Sequence, residues 1–378
     1  METESFVSLP LDLTIEILLR LPAKSIGRFR CVSKLWSTMT TTPSFVKSYS
    51  VHSSARPCLL YCKNGEEKCV FYSLPHHHDT EKYLPKEETG LPLRIITNEN
   101  NIHHQSIHGL IPVENSESVI IWNPTLKQHV TLPQLKVSKP FISLLGYDPI
   151  GDEYKVLCMS LWVKDEDPQI FTLGPGESWR RLIIQDISPS HVKFYKAIWR
   201  CINGVVYYLA ADNTIVSFDV RSEKFGVIQI PDMSLRMKGL PWGIKILPCG
   251  FIRHRGRLAL FSYISSLRGR ISLWILEDAE KHEWVRKDSS LPFKTLTSLS
   301  TGEGIFLLRV SGETVDDELI YLPDLAERPF YAIFYDLERN RVRKVEYEGI
   351  GEIKFIRSHC FPNHIESLMS LNDLLTAA

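Results

Sequence analysis

Residues 9–22 have the sequence "LPLDLTIEILLRLP", which places apolar side chains on nearly every side of a short helix. On a wheel of about 100° per residue, one stripe consists of Leu13, Ile17 and Leu21, and the residues behind it are Ile15, Leu18 and Leu19. The apolar arc covers about 240°, whereas a helix that packs on one side needs little more than about 100°. The segment therefore predicts a helix that is buried on two sides, with the second side covered by another protein.

The residues that follow predict a small all-α segment of three helices over residues 1–48. Pro22 suits the first turn of a second helix, and apolar residues recur at helical spacing at Ile26, Phe29, Val32 and Trp36. Pro43 in "TTTPSF" ends this pattern. The polar stretch "SVHSSARP" at 50–57 marks the boundary, so we assign residues 49–57 to a linker.

From residue 58 onward, short β-branched and aromatic runs alternate with turns such as Asn203-Gly204. A strand with a central aromatic, a hydrophilic turn and a second strand form a repeating unit. Its aromatic markers are Phe71, Trp122, Phe171, Phe218, Trp274 and Tyr335, at intervals of 51, 49, 47, 56 and 61 residues. Such periods are typical of propeller blades. The pattern predicts an all-β propeller-like domain of about six blades over 58–362; a β-sandwich, or a pair of them, is the alternative fold.

A closed ring needs its last strand beside an early one, because an open ring leaves unpaired strand edges. The strand-like "EIKFIRSHCF" near the end of the chain is therefore expected to pair with "PCLLYC" near the start of the β domain. We assign residues 363–378 to a C-terminal tail.

Charge and composition argue against several classes of protein. Lys plus Arg and Asp plus Glu both number 44, which gives no sign of a nucleic-acid or membrane partner. The opening "METESFVS" differs from a secretory signal, and the sequence contains no apolar run of about 18 residues. Eight cysteines at irregular spacings in a chain of this length indicate a reduced protein. We expect a cytoplasmic and/or nuclear location.

The sequence carries no recognisable catalytic signature: it contains no nucleophile elbow, phosphate-binding loop, His-Glu-x-x-His motif or kinase motif set. Cys58 and Cys62 have a spacing that zinc ligands use. However, "CLLYCKNGEEKCVFY", which continues through Cys69, has the pattern of a hairpin around Asn64-Gly65. The sequence thus predicts no enzyme activity, no metal site and no cofactor.

The opening segment resembles an F-box, whose pattern is Leu-Pro, an acidic residue, Glu-Ile-Leu, Leu-Pro, Arg-x-Arg-x-Val, Lys-x-Trp and a late Phe. The matching positions are Leu9-Pro10, Asp12, Glu16-Ile17-Leu18, Leu21-Pro22, Phe29-Arg30, Val32, Lys34, Trp36 and Phe45. The β part is similar to the F-box-associated domain of plant F-box proteins, through pieces such as "WNPTLKQHVTLP", "LGYDPIGDEYKVL" and "HIESLMSL". One departure is His108-Gly109-Leu110-Ile111-Pro112, where the family often has Asn-Gly-Leu-(Ile/Leu)-Cys.

The resemblance implies a non-catalytic substrate-recognition subunit of a cullin-based SCF-type ubiquitin ligase. The F-box would dock on the adaptor subunit, covering the back of the first helix, and the β domain would recruit an unknown protein substrate. The positions implied in adaptor binding are Leu9, Pro10, Ile15, Ile17, Leu18, Leu21, Pro22, Val32 and Trp36.

Two other functions remain open at the level of sequence. The β domain would bind a small ligand such as a glycan if Trp162, Trp179 or Trp242 offered an exposed stacking surface. Alternatively, the chain would be a propeller-type enzyme with a helical oligomerisation motif if carboxylates or histidines converged on the central channel.

Overall fold

The computed structural model describes residues 9–64, 69–76, 82–83, 86–88, 105–114, 117–161, 163, 166–184, 194–210, 214–231, 250–261, 270–290, 308–323, 330–350 and 359–372. In these ranges four helices precede six small sheets. None of the described helices is long and apolar enough to span a membrane.

The helices are α1 (Leu11–Leu19), α2 (Ala23–Val32), α3 (Lys34–Thr40) and α4 (Pro43–Ser54). The fourth helix differs from the predicted three-helix segment and occupies much of the predicted linker. Pro43 begins a new helix as well as following the end of α3, because the Thr42 side chain accepts the Phe45 N–H (3.3 Å) and caps α4. Phe45 and Tyr49, at i and i+4, are buried and hold α4 against α1.

The strands fall into six sheets that we number as blades 1 to 6. Blade 1 contains β1 (Cys58–Asn64), β2 (Cys69–Pro75), β4 (Lys86–Glu88) and β24 (His359–His364). Blade 2 contains β5 (Ile111–Glu114), β6 (Val119–Asn123) and β7 (Gln128–Thr131), and blade 3 contains β8 (Phe141–Asp148), β9 (Glu153–Ser160), β10 (Gln169–Thr172) and β11 (Arg180–Arg181).

Blade 4 contains β12 (Phe194–Ile202), β13 (Val205–Ala210), β14 (Thr214–Asp219) and β15 (Lys224–Gln229). Blade 5 contains β16 (Gly250–His254), β17 (Arg257–Phe261), β18 (Arg270–Asp278) and β19 (Glu283–Ser290). Blade 6 contains β20 (Leu308–Glu313), β21 (Leu319–Pro323), β22 (Phe330–Asp336) and β23 (Arg341–Tyr347), with β3 (Lys82–Tyr83) added in parallel to β23. Each of the six aromatic markers lies in a different blade.

The blades form a ring, because a separate apolar cluster fills each of the six gaps between neighbouring blades. A pair of residues from each cluster, in order from the gap between blades 1 and 2, is Phe71 and Trp122, Ile121 and Val156, Leu157 and Val216, Ile215 and Leu260, Leu273 and Ile333, and Phe334 and Leu59. The last pair joins blade 6 to blade 1. The six-bladed propeller prediction is confirmed, and the sandwich alternative is wrong.

The ring closes through the two ends of the β domain. Residues of β24 pair with β1, with His364 opposite Cys58 and Phe361 opposite Leu60. This pairing confirms the predicted closure, although residues 352–358 of the predicted strand lie outside the described residues. The segment predicted as a tail is packed as far as Leu371, which is fully buried between blades 2 and 3.

The helical segment lies against blades 2 and 3, on the face formed by their hairpin turns. Leu126, in the turn between β6 and β7, packs on the core of the helices. Lys47 of α4 forms an ion pair of 2.6 Å with Asp152, in the turn between β8 and β9. The opposite face of the ring is therefore free of the helices in these blades.

Removal of β24 should unfold or strongly destabilise the propeller. A chain that ends at residue 350 leaves the edge of β1 unpaired and loses the buried Phe361. We expect its thermal midpoint, followed by circular dichroism, to fall by about 10 °C or more. A chain that ends at residue 372 serves as the control and should melt like the full chain; equal melting of all three chains would contradict closure through β24.

Candidate functional site

Helix α1 has two apolar sides with different surroundings. Its inner side joins the core of the helical segment, whose members are Leu18, Leu19, Ala23, Ile26, Phe45, Tyr49 and Leu368, with Ile15 and Leu21 partly buried against it. Its outer side carries Leu13 and Ile17 at i and i+4, both exposed. The back of the helix, predicted to meet another protein, faces the protein's own core in the free chain, whereas Leu13 and Ile17 of the stripe are exposed.

Helices α2 and α3 extend the exposed apolar area. The Ser33 side chain accepts the Trp36 N–H (3.3 Å) and caps α3. Trp36 packs edge-on against Phe29 with 5.2 Å between ring centroids, and this contact fixes the angle between the two helices. On either side of this junction, Val32 and Leu35 point outward with exposed side chains.

We call the following set the outer apolar surface: Leu9, Leu11, Leu13, Ile17, Val32 and Leu35. Their exposed fractions run from 48 % for Ile17 to 74 % for Val32. Single exposed apolar residues are common on proteins, but a concentration of large ones in one short segment marks a surface that binds another molecule. The side chains of this set are all apolar, so they are suited to contacts with apolar side chains of a protein partner.

The residues predicted for adaptor binding fall into three groups. Leu9, Pro10, Ile17, Pro22 and Val32 are exposed, whereas Ile15, Leu21 and Trp36 are partly buried. Leu18 is only 3 % exposed and belongs to the helical core, so it is not part of the exposed surface of the free chain. Periodicity finds both apolar sides of α1 but does not tell which of them the protein covers itself.

The prediction omitted Leu11, Leu13 and Leu35, which the structure adds to the outer apolar surface. Leu13 had a detectable signal, because it lies four residues before Ile17 on the same stripe. Leu35 had none, since α3 is only 7 residues long and shows no clear apolar face.

We call β8, β12, β16, β20 and β24 the inner strands, because each contacts the corresponding strand of a neighbouring blade. Three of their polar side chains, Arg200, Glu313 and His364, are paired with other protein groups. Arg200 of β12 lies 3.3 Å from the Glu313 carboxylate of β20 and donates to the Phe251 carbonyl of β16 at 3.2 Å. The His364 ring lies 2.8 Å from the Ser106 hydroxyl, and burial lowers the pKa of His364 to about 4. These pairs join blades to each other and leave neither Glu313 nor His364 directed at a substrate.

Arg200 and Glu313 also line a cavity of about 380 Å³ that lies beside the end of α4. Gln105 also lines this cavity. Its side chain accepts the Cys201 N–H at 2.7 Å and donates to the Cys201 carbonyl at 3.1 Å. The Gln105 amide therefore makes the two hydrogen bonds with the Cys201 backbone that a neighbouring strand would otherwise make with β12.

Glu114, at the end of β5, is a buried carboxyl held by one residue of the next blade. It accepts the backbone N–H (2.6 Å) and the hydroxyl (2.8 Å) of Ser143. Burial raises its pKa to about 7, although the two Ser143 hydrogen bonds act in the opposite direction. The carboxyl is thus mainly protonated below neutral pH.

The other residues considered from sequence have structural surroundings. Trp179 is partly buried, packs against Phe171 (5.3 Å between ring centroids) and donates its indole N–H to the Pro133 carbonyl (2.8 Å), so the ring and its N–H are used in contacts within the protein. Trp162 and Trp242 lie outside the described residues. Cys58 and Cys62 lie on β1, which forms the predicted hairpin with β2; its turn, residues 65–68, lies outside the described part of the chain.

Comparison with known proteins matches both parts of the chain. A model of the "F-box domain" matches residues 6–48, and a model of the "F-box associated beta propeller domain" matches residues 58–367. The Arabidopsis thaliana protein At4g21240 is 38 % identical over 410 residues, covering 99 % of this chain and 92 % of its own. "F-box protein DOR" of Arabidopsis thaliana is 34 % identical over 390 residues, covering 97 % of this chain and 94 % of its own.

The buried Glu114 should make the stability of the protein depend on pH. Its pKa is about 7 in the folded chain and near 4.5 when unfolded, so its contribution is present below about pH 4.5 and is lost as pH rises towards 7. Glu114→Gln keeps the acceptor for Ser143 and removes the charge. Relative to the wild type, the free energy of unfolding in urea should rise by up to about 3 kcal/mol at pH 8 and change little at pH 4.5.

The exposed Glu283 on β19 provides a matched control for that measurement. Glu283→Gln should leave the free energy of unfolding unchanged at both pH values. A Glu114→Gln variant that is no more stable than the wild type at pH 8 would show that the carboxyl is ionised in the folded protein without cost.

Proposed function

Because the chain belongs to the family of F-box proteins that carry an F-box-associated β-propeller domain, we propose that it is the substrate-recognition subunit of a cullin-based SCF-type ubiquitin ligase. In this role the F-box docks on the adaptor subunit, and the propeller recruits a protein substrate. The observation that carries the proposal is the outer apolar surface, which lies within the segment that matches the F-box model.

Docking of the adaptor on this surface explains why α1 is apolar on two sides. The inner side folds the F-box, and the outer side remains available for a partner. Burial of four or five Leu, Ile or Val side chains contributes about 1.5–3 kcal/mol each, which is enough to offset the entropy cost of association. Pro10 and Pro22, exposed at the two ends of α1, fix the direction of the chain at the border of this surface.

Substrate recruitment fits the face of the propeller away from the F-box. One hairpin turn of blade 2, between β6 and β7, and one of blade 3, between β8 and β9, face the F-box. The connection between these two blades, residues 132–140, joins the opposite ends of β7 and β8. Long loops on a rigid scaffold are the usual carriers of specific binding.

The proposal includes no bond chemistry by this chain and no cofactor. The receptor would act by proximity, because it raises the effective concentration of substrate lysines near the ubiquitin-carrying enzyme. Cys31, Cys158 and Cys201 are thiols, which supports a reducing compartment. We therefore propose a location in the cytoplasm and/or the nucleus.

Replacement of one residue of the outer apolar surface should abolish adaptor binding. Ile17→Asp places a charge where the adaptor would bury the side chain, so affinity for the purified adaptor, measured by titration calorimetry, should fall by about 100-fold or more. The variant should melt like the wild type, because Ile17 is exposed. Val51→Asp is the matched control, since Val51 is an apolar residue of α4 with 67 % exposure; unchanged affinity of Ile17→Asp would refute this docking surface.

The same two variants test whether the propeller recruits substrates for degradation. A receptor that binds its substrate but cannot join the ligase protects that substrate, so proteins captured with Ile17→Asp should include at least one that is several-fold enriched over wild type and Val51→Asp. Inhibition of the proteasome should remove the difference by raising the wild-type level. If no captured protein behaves in this way, the role of substrate receptor is not supported.

A further inference from the structure

The chain after the last strand runs between the propeller and the F-box. We call residues 365–371 the C-terminal strap. On the propeller side, the buried Asn123 side chain donates to the carbonyls of Ser367 (3.1 Å) and Met369 (2.9 Å). The Thr125 hydroxyl accepts the Ser367 N–H, and the Gln128 side chain accepts the Leu371 N–H, each at 3.0 Å. These contacts, all from β6, β7 and the turn between them, attach the strap to blade 2.

On the other side, Glu366 of the strap binds the F-box at two points. Its Oε2 atom accepts the backbone N–H of Ala23 at 2.9 Å, at the first turn of α2. Helix α2 has no side-chain cap of its own, so a residue from the far end of the chain supplies the acceptor that the helix start requires. The same oxygen lies 2.8 Å from the Tyr49 hydroxyl of α4.

The Tyr49 hydroxyl is a dependable donor to Glu366. Burial, followed by the neighbouring Glu366 carboxylate, raises the pKa of Tyr49 above its usual range. The hydroxyl therefore stays protonated at every physiological pH. Tyr49 is fully buried and belongs to the core of the F-box, so the contact ties the strap to the interior of that domain.

Leu368 adds an apolar contact to these polar ones. It is 4 % exposed and is a member of the F-box core, although it comes from the opposite end of the sequence. Gly109, in a turn of blade 2, allows the strap to approach closely: a Cβ atom there would lie 2.6 Å from the Ile365 carbonyl and 2.7 Å from the Ser367 Cβ. Its positive φ of 83° also favours glycine.

The other described links between the two domains are weaker constraints on orientation. The Lys47–Asp152 ion pair joins two exposed side chains, and pairs of this kind contribute little to stability. The direct connection from α4 to β1 consists of residues 55–57, which limits the separation of the domains more than their angle. Leu126 is only partly buried where it packs against the F-box core.

From these contacts we propose that the C-terminal strap sets the orientation of the F-box on the propeller, with Glu366 and Leu368 as positioning residues. The consequence for ubiquitin transfer rests on the proposed function: a fixed orientation would hold a substrate on the propeller at a fixed position relative to the adaptor. The orientation itself is a property of the free chain and is tested without adaptor or substrate.

The test measures a distance distribution across the two domains by pulsed electron paramagnetic resonance on the full chain. Spin labels are attached at Thr38→Cys, on the exposed side of α3, and at Lys281→Cys, in an exposed turn of blade 5. Before labelling, Cys31→Ser removes the exposed thiol among the described cysteines, and Cys69→Ser and Cys249→Ser remove the two thiols whose side chains lie outside the described part of the chain. Five further chains are compared with this parent: Glu366→Ala, Leu368→Ala, Tyr49→Phe, Glu366→Gln, and Glu283→Gln as a control on exposed β19.

We expect one narrow distribution for the parent and for Glu283→Gln, and a distribution at least twice as wide for Glu366→Ala and Leu368→Ala. Glu366→Gln keeps an acceptor for Ala23 and should restore most of the narrow distribution, a rescue that loss of packing alone would not give. Tyr49→Phe should give an intermediate width. These variants should leave the melting of the propeller within about 2 °C.

Parental widths in both Glu366→Ala and Leu368→Ala would overturn the proposal, whatever their stability. If either alanine variant fails to fold, Tyr49→Phe decides the result, because it retains the shape of the original side chain and removes only the hydroxyl that donates to Glu366; a parental width in Tyr49→Phe would then overturn the proposal. Adaptor binding by each variant is measured in a separate titration. Absence of adaptor binding would contradict the proposed function, but it would not contradict the proposal that the C-terminal strap orients the F-box.

Discussion

In blade 1, Cys58 of the first strand lies opposite His364 of the last one. The chain therefore enters the ring beside the point where it leaves it, and both ends emerge on the same face. Since α4 ends only a few residues before β1, the F-box must lie close to the segment that follows β24. This closure makes the contacts of Glu366 and Leu368 with the F-box possible. Residues 23 and 366 are far apart in the sequence, and the pairing of β1 with β24 brings them close together.

The F-box has two sets of apolar residues, one that forms its core and one that is exposed. Four short helices enclose few residues, and their core takes in Leu126 and Leu368 from the β domain. Small domains of this length bury a small fraction of their surface and need such support. The outer side of α1 does not contribute to this core, so its apolar residues bury little surface in the isolated chain, which fits the proposed docking of an adaptor.

The inner strands of the propeller carry buried charge, and the arrangement of that charge supports a scaffold more than a reaction centre. Arg200 connects three blades through Phe251 and Glu313. A buried ion pair is costly to desolvate and requires good partners, and the geometry here uses both groups for contacts between blades. Glu114, with a pKa raised to about 7 by burial, is likewise held by Ser143 of the neighbouring blade. These buried polar contacts thus help to fix the positions of the blades relative to one another.

The sequence by itself determined the class of each part: the double-sided apolar pattern of residues 9–22 predicts a partner-binding helix, and the spacing of aromatics from Phe71 to Tyr335 predicts blades, because both signals are periodic and local. Closure was also predictable, since an unpaired edge is unfavourable in any ring. The tertiary structure alone decided that Leu18 faces inward and Leu13 outward, that residues 43–54 form a fourth helix, and that the presumed tail binds the F-box. These features depend on burial against residues distant in sequence, such as Leu368 with Leu18 and Glu366 with Ala23, and a local pattern of apolar and polar residues carries no information about which distant surface will cover it.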